Sequence, residues 1–414
     1  MSGEWFILVE SNTTGSGRLF CACARRLGLR PIVFARDPDR YPYVAGDAIE
    51  SRVVDTGSTE VVLDACAQIG GQIAGVTSSS EYFMVTASEG ARALGLPHPD
   101  PDAVRRCRDK SAQRQRLRAA GVPGPAFAAA QTPDAAVAAA ARIGLPVVVK
   151  PVAGSGSIGT RLCRWTDEVR TAASGVLDAD PITLALPPQD AVMVEQYLGG
   201  VEYSVETLDE HVVGVTRKHL GPEPYFVEIG HDFPAPVELA EHVEISEIAV
   251  SALRALGLGW GPAHVELRQT VGGPRIVEVN PRLAGGMIPR MVQEACGIDM
   301  IFHVVAEAAG RDVTPRSTRA QAASIRFLVA RTAGRLIEIH GEDDARRVPG
   351  VIDVVLTREP GQDVVLRHSF QDRLGLVLAA GEDGSVAARA ADDGLLALDA
   401  RIAPASFVTE GALG

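Results

Sequence analysis

Glu266, Glu278, Asn280 and Arg282 stand close together in this sequence and supply two carboxylates, a carboxamide and a guanidinium. Between the carboxylates, Gly272-Gly273-Pro274 reads as a turn. Its flanks, His264-Val265-Glu266-Leu267 and Arg275-Ile276-Val277-Glu278-Val279, read as strands. A hairpin sets Glu266 and Glu278 side by side across a ladder. Adjacent carboxylates repel each other, so the pattern asks for a cation. Hard oxygen donors suit Mg²⁺, which is commonly shared with substrate phosphates. Arg282 then meets an anion rather than the metal. The bland alternative is a solvated salt-bridge face, against which the adjacent Asn280-Pro281-Arg282 counts.

Four further features carry chemistry. Lys150 ends an apolar run and is followed by Gly154-Ser155-Gly156-Ser157-Ile158-Gly159. Glycines let backbone N–H groups approach an anion, and the lysine adds positive charge. No Gly-Lys-Ser/Thr closes the loop, so it is not a Walker A motif. A hairpin tip closing over phosphates and a plain flexible tip are both open. Glu195-Gln196-Tyr197-Leu198 ends another strand. A carboxylate there suits the exocyclic amine of adenine, with the following backbone on the ring edge; a surface carboxylate is the alternative. Glu202, past Gly199-Gly200, suits ribose hydroxyls, with the same alternative. Glu81, in Ser78-Ser79-Ser80-Glu81-Tyr82, follows a strand at a carboxyl edge where ligands gather. It serves there as a substrate holder or as a helix N-terminal charge.

These residues need a scaffold. Trp5 to Glu10, Pro31 to Ala35 and Ile73 to Thr77 read as strands, and Arg18 to Gly28 and Val61 to Gly70 as helices. That alternation predicts a small parallel sheet. The loop at Gly15-Ser16-Gly17 lacks a full dinucleotide fingerprint. Residues 102–121 read as one basic helix, and Val122-Pro123-Gly124-Pro125 as a linker. Pro133 to Ile143 reads as a helix, and Pro146 to Pro151 and Ala191 to Leu198 as strands. Glu202 to Thr207 and Val212 to Thr216 alternate as strands do, and Glu244 to Leu256 reads as a helix. The tail from Gln321 is β-rich.

The 414 residues allow two or three domains, and a hydrophobic fraction of 46% supports a sizeable core. A net charge of −12 argues against a nucleic-acid binder. No apolar run approaches the roughly 20 residues that span a bilayer. Met1 to Trp5 lacks a signal-like pattern, so a cytoplasmic location is expected. The six cysteines are scattered without metal spacing and read as small core residues.

Taken in order, Lys150 with its glycine loop, Glu195-Gln196-Tyr197-Leu198, Glu202 and the Glu266/Glu278 hairpin resemble the ATP-grasp superfamily over about residues 5–310. The resemblance implies an α/β (α+β) ATP-grasp fold. It has a Rossmann-like pre-ATP-grasp domain (1–100), a helical linker (101–122), and a small lid subdomain with the glycine loop (123–200). A larger domain with the metal site (201–320) and a β-rich C-terminal region (321–414) follow. It also implies ATP and two Mg²⁺ ions, with Mn²⁺ as a substitute. Lys110, Lys150 and the loop residues Gly154, Ser155, Gly156, Ser157 and Gly159 would meet the nucleotide. Glu195 and the Tyr197-Leu198 backbone would hold adenine, Glu202 ribose, and Glu266, Glu278 and Asn280 the metals. Arg282 would stabilise the transferring phosphoryl group.

Within that superfamily, Tyr225 to Ala235 resembles a segment of the L-amino-acid ligases, which form dipeptides. There Glu228 would meet an α-ammonium group, and His231 would orient substrate or take the amine's proton. A surface loop with incidental charges is the alternative. Ala323 to Phe327 and Asp372 to Val377 resemble the C-terminal region shared by these ligases and biotin-carboxylase-like enzymes. Gly285, Gly286 and Met287 would shape a roomy pocket for the first amino acid. The expected reaction joins an amino-acid carboxylate to an amine through an acylphosphate, with ADP and phosphate released. A bicarbonate-using carboxylase and a non-catalytic nucleotide-binding regulatory protein are the rival readings. Expected partners are small molecules, with no nucleic acid and no membrane, and a homodimer is compatible with the superfamily.

Overall fold

Trp5–Val9 is buried at every position, as befits a strand covered on both faces. It lies at the centre of a parallel sheet in the order Glu50–Val53, Arg30–Ala35, Trp5–Val9, Ile73–Thr77. The computed structural model describes residues 3–12, 16–179 and 189–404. The predicted parallel sheet is therefore present, with Glu50–Val53 as an edge strand that the sequence pattern did not reveal. Glu10 does not continue the strand. It turns at φ 57° and accepts hydrogen bonds from Thr56 Oγ1 (2.7 Å), Tyr41 Oη (2.5 Å) and the Arg36 amide (2.8 Å). One carboxylate thereby ties together loops that follow three strands.

The chain divides into two units. The first comprises Met1–Gly124, Tyr203–Val215 and Val237–Arg319. Besides the parallel sheet it contains the hairpin Pro262–Thr270 and Gly273–Asn280, next to most of Val201–Leu208 and the first half of His211–Leu220. Glu266 lies opposite Glu278, and His264 opposite Asn280, as the turn signal predicts. Helix Leu239–Leu256 packs on the hairpin and stops at Gly257, whose φ of 81° gives a left-handed cap.

The basic segment is two helices, not one: Pro101–Arg108 and Lys110–Ala119. Asp109 breaks it. Its backbone is extended, and its side chain accepts from the amides of Ser111 (2.8 Å) and Ala112 (3.0 Å), capping the second helix. That second helix protects a sheet edge. Gly273–Asn280 is the outermost strand, and Gln113 pairs with it as a neighbouring backbone would. The carboxamide accepts from Val279 N (2.9 Å) and donates to Val279 O (2.8 Å) and Cys107 O (3.0 Å). Arg114 donates to Val277 O, and Ile276 N donates to Pro123 O. An unpaired edge of this length would otherwise invite other chains.

The second unit comprises Pro125–Glu202, Thr216–Pro236 and Ala320–Gly414. Its small sheet runs in the order Phe127–Ala130, Val192–Gln196, Val147–Pro151, Arg161–Cys163. Helices Pro133–Ile143 and Thr166–Leu177 cover one face, where alanines allow close approach to Val147, Val149, Val192 and Val194. Strand alternation sends Lys150 and Glu195 to the other face. A larger antiparallel array follows, in the order His211–Leu220, Glu228–Phe233, Ala322–Val329, Arg373–Gly381, Val351–Leu356. Helix Gly384–Leu396 packs on it. The short strand Asp363–Val364, with Gly334–His340 and Asp399–Ala403, completes the β-rich tail.

The six cysteines are free thiols, five of them buried. Burial pushes the Cys107 thiol up to about 12, so it is no nucleophile. Among the described residues no helix is long and apolar enough to cross a membrane.

Gln113→Ala would leave both backbone groups of Val279 without their partner. Urea unfolding should show a loss of about 2 kcal/mol, with the slope unchanged. In the second unit, Asp232 accepts from Ser324 Oγ (2.8 Å) and pairs with Arg326 (2.8 Å) and His219 (2.6 Å). Burial opposes its charge, but His219 and Arg326 hold the carboxyl well below the usual range. Its stabilisation is present above the unfolded value of about 4 and is lost as pH falls towards the folded value. Asp232→Asn should therefore flatten the acid limb of the stability–pH curve and lower stability at neutral pH.

Candidate active site

In the first unit the paired carboxylates have separate counter-ions. His264 bridges Glu266 Oε1 (Nε2, 3.0 Å) and both oxygens of Glu206 (Nδ1, 3.0 Å). Ser204 Oγ donates to Glu206 at 2.7 Å. Burial disfavours the imidazolium, but Glu206 and Glu266 outweigh it and raise His264 to about 9. Lys110 Nζ lies 3.1 Å from Glu278 Oε1. Arg282 donates through Nε to Glu81 Oε2 (2.5 Å) and through Nη1 to Leu283 O (3.0 Å). Arg108 Nη1 meets the other oxygen of Glu81 at 2.5 Å.

The donor set fits Mg²⁺. Two carboxylates face each other in register, and Asn280 adds a carboxamide oxygen beside them. Among the described residues no group of three or more His, Cys, Asp or Glu could hold a metal alone. Mg²⁺ is commonly held by one or two carboxylates and completed by water and phosphate oxygens.

The glycine-rich loop belongs to the second unit and adopts left-handed backbone at Gly156 (φ 67°), Ser157 (φ 61°) and Gly159 (φ 68°). Ser157 Oγ donates to Phe226 O at 2.9 Å. A Cβ at Gly156 would lie 2.3 Å from Phe370 Cδ1, so the ring demands glycine there. Lys150 Nζ and Glu195 Oε2 are 2.8 Å apart and buried on the face of the small sheet away from its two helices, as diagonal cross-strand neighbours. Leu198 is buried, and Tyr197 Oη donates to Glu223 at 2.8 Å.

Glu202 and Glu228 are joined by Lys218, whose Nζ lies 3.3 Å from the first and 2.6 Å from the second. Arg373 Nη2 is 2.9 Å from the Glu228 carboxylate and 3.1 Å from its carbonyl oxygen. The same guanidinium stacks 3.6 Å over Phe327. His231 is fully buried on a strand, not on a surface loop. Its Nε2 is 3.5 Å from Glu228, and its ring meets Phe327 edge-on. Glu228 thus faces three cationic or imidazole groups as well as any substrate ammonium.

Gly285, Gly286 and Met287 lie on the loop after Arg282 in the first unit. A Cβ at Gly285 would meet nothing within 4 Å, and Gly286 and Met287 are both left-handed (φ 60° and 63°). Sequence reasoning missed Glu206, Lys218 and Arg373. Continuing the alternation of Val212 to Thr216 by two residues would have put Lys218 on the face of Thr216. Glu206 sits one turn of the alternation from Ser204 in a strand already recognised.

Residues 143–290 match the ATP-grasp domain, and residues 326–403 match the L-amino acid ligase C-terminal domain 2. The fold and these two matched domains define an ATP-grasp ligase, a carbon–nitrogen bond-forming enzyme. The chain belongs to the ATP-grasp superfamily and is most similar within it to the L-amino-acid ligases. An L-amino acid ligase from Bacillus licheniformis shares the fold with a TM-score of 0.78 and 22% identity, over 97% of this chain and 99% of that one. The uncharacterized protein y4rH of Sinorhizobium fredii is 39% identical over 97% of this chain and 83% of its own length. Carnosine synthase 1 of Gallus gallus is 26% identical over 69% of this chain, a match that spans only 33% of that longer protein.

Gly156→Ala should cost about 1–2 kcal/mol through its left-handed backbone alone and raise the KM for ATP. Adding Phe370→Ala should relieve the clash but not the backbone strain. Thermal melts and ATP titrations of both variants separate the two contributions.

Proposed function

We propose that this chain is an ATP-dependent carboxylate–amine ligase whose carboxylate substrate is an L-amino acid. The carrying observation is the in-register pair Glu266 and Glu278, with Asn280 and Arg282 immediately after it. A carboxylate is a poor electrophile with a poor leaving group. Attack of its oxygen on the γ-phosphorus of ATP breaks the bond to ADP and forms an acylphosphate. An amine then attacks the acyl carbon and phosphate leaves, giving an amide. The amine is that of a simple amine or of a second amino acid.

The protein's task is alignment of two anions and screening of their repulsion. Glu266, Glu278 and Asn280 would hold Mg²⁺, which neutralises phosphate charge when bound. Arg282 supports the transferring phosphoryl group, while Lys110 and Lys150 with Gly154, Ser155, Gly156, Ser157 and Gly159 bind the phosphates. Glu195 and the Tyr197-Leu198 backbone take adenine, and Glu202 takes ribose. Nucleotide would compete with the Lys150–Glu195 pair, 2.8 Å apart, for the same two side chains. Glu228 takes the α-ammonium group. Complete burial of His231 favours its orienting Glu228 over direct proton transfer. Two glycines and Met287 after Arg282 favour a pocket that accepts amino acids larger than alanine.

A matrix of paired amino acids and amines, read by phosphate release and product mass, tests this reading. Phosphate should appear only with both substrates, and the product mass should equal their sum less water. AMP and pyrophosphate as products would rule out the acylphosphate route, and bicarbonate-dependent hydrolysis without an amino acid would favour a carboxylase. Arg282→Ala should lower kcat by about 10²–10³-fold. The fold should persist, because Glu81 keeps its Arg108 partner.

A further inference from the structure

Glu81 is fully engaged by the protein. Oε2 takes Arg282 Nε and Oε1 takes Arg108 Nη1, both at 2.5 Å, with 11% of the side chain exposed. A substrate ammonium would have to displace a guanidinium to reach it. We infer that Glu81 is the positioning residue of Arg282, fixing the plane of its guanidinium so that Nη2 is the group presented to an anion. This rests on the phosphoryl-supporting role proposed for Arg282.

The mount is rigid on both sides. Glu81 follows strand Ile73–Thr77 through a turn in which Ser78 Oγ accepts from Ser80 N (3.0 Å) and donates to Ser80 O (3.1 Å). Arg108 is itself held 4.6 Å over the ring of Tyr82. With Nε on Glu81 and Nη1 on Leu283 O, two of the three nitrogens of Arg282 are committed. Among the described residues, Nη2 takes no hydrogen-bond partner. Glu278 and Glu266 also attract this guanidinium. Without Glu81, the guanidinium would swing towards the carboxylates that the metal requires. Burial raises the Glu81 carboxyl, yet Arg282 and Arg108 outweigh it and hold it at about 2.

The decisive variants are Glu81→Gln, which keeps the shape and loses the charge, and Glu81→Asp, which keeps the charge. Glu81→Gln should lower kcat about 100-fold, with the KM values for ATP and amino acid within about threefold, as expected of a misplaced group. Glu81→Asp should recover part of that loss. Phenylglyoxal labelling mapped by mass spectrometry gives a readout independent of turnover. In Glu81→Gln, Arg282 should label at least about threefold faster than in the parent once freed from its ion-pair partner. Arg254, ion-paired with Glu210 at 2.7 Å, is the internal control and should not change. Unchanged labelling of Arg282 would overturn the inference. So would a raised amino-acid KM at unchanged kcat, which would make Glu81 a substrate contact. If Glu81→Gln fails to fold, Arg108→Gln, which leaves the Arg282 pair in place, should show a smaller fall in kcat in the same direction; no fall would count against the inference. If the parent protein joins no substrate pair, the ligase reading fails and the labelling alone decides the role of Glu81.

Discussion

Two like charges set opposite each other across a β-ladder dictate much of the first unit. Glu266 and Glu278 can share that register only if each has its own source of positive charge. His264 serves one and Lys110 the other. Arg282 is drawn to both and is kept apart by Glu81. A one-residue slip of the hairpin would turn one carboxylate to the opposite face, away from its cation. Register, helix position and loop geometry are thus coupled through charge. Gln113 adds a neutral lock by pairing with Val279, directly between Glu278 and Asn280.

What could be read from the sequence was what local pattern encodes. The hairpin was legible because glycine and proline mark its turn and apolar residues alternate on both sides. The parallel sheet was legible from the run Trp5–Val9 and its helical successors. The break at Asp109 was overlooked, although aspartate is a strong helix cap and its neighbours carried the cue. The strand Glu228–Phe233 was not distinguished from a loop, because His231 and Asp232 are polar residues buried by distant partners. Lys218 and Arg373 meet at Glu228 from strands far apart in the chain, and no spacing rule predicts such a meeting. The same holds for Glu81, whose position at a strand's carboxyl edge was apparent but whose partners were not.

The glycine-rich loop shows how conformation at one motif is set by residues outside it. Gly156 is required less by its own turn than by the ring of Phe370 resting against it. Phe370 N also donates to Gly156 O at 3.4 Å, and Tyr225 stacks on His368 at 3.7 Å. The segment matched to the amino acid ligase C-terminal domain therefore shapes a loop that lies in the segment matched to the ATP-grasp domain.

Each unit is assembled from three separate stretches of chain. On a ribosome the parallel sheet of the first unit emerges early, but Lys110 and Gln113 must wait for Glu278 and Val279 to be synthesised. The second unit begins at Pro125 and cannot close until the stretch from Ala320 has been made. Nascent chains thus carry two half-built units at once, and the hairpin's carboxylates enter last among the charges that balance them. Gene fission at any of the three inner crossings would divide both units, and at either outer crossing it would divide one, so this architecture tolerates insertion at its loops far better than separation into independently expressed halves.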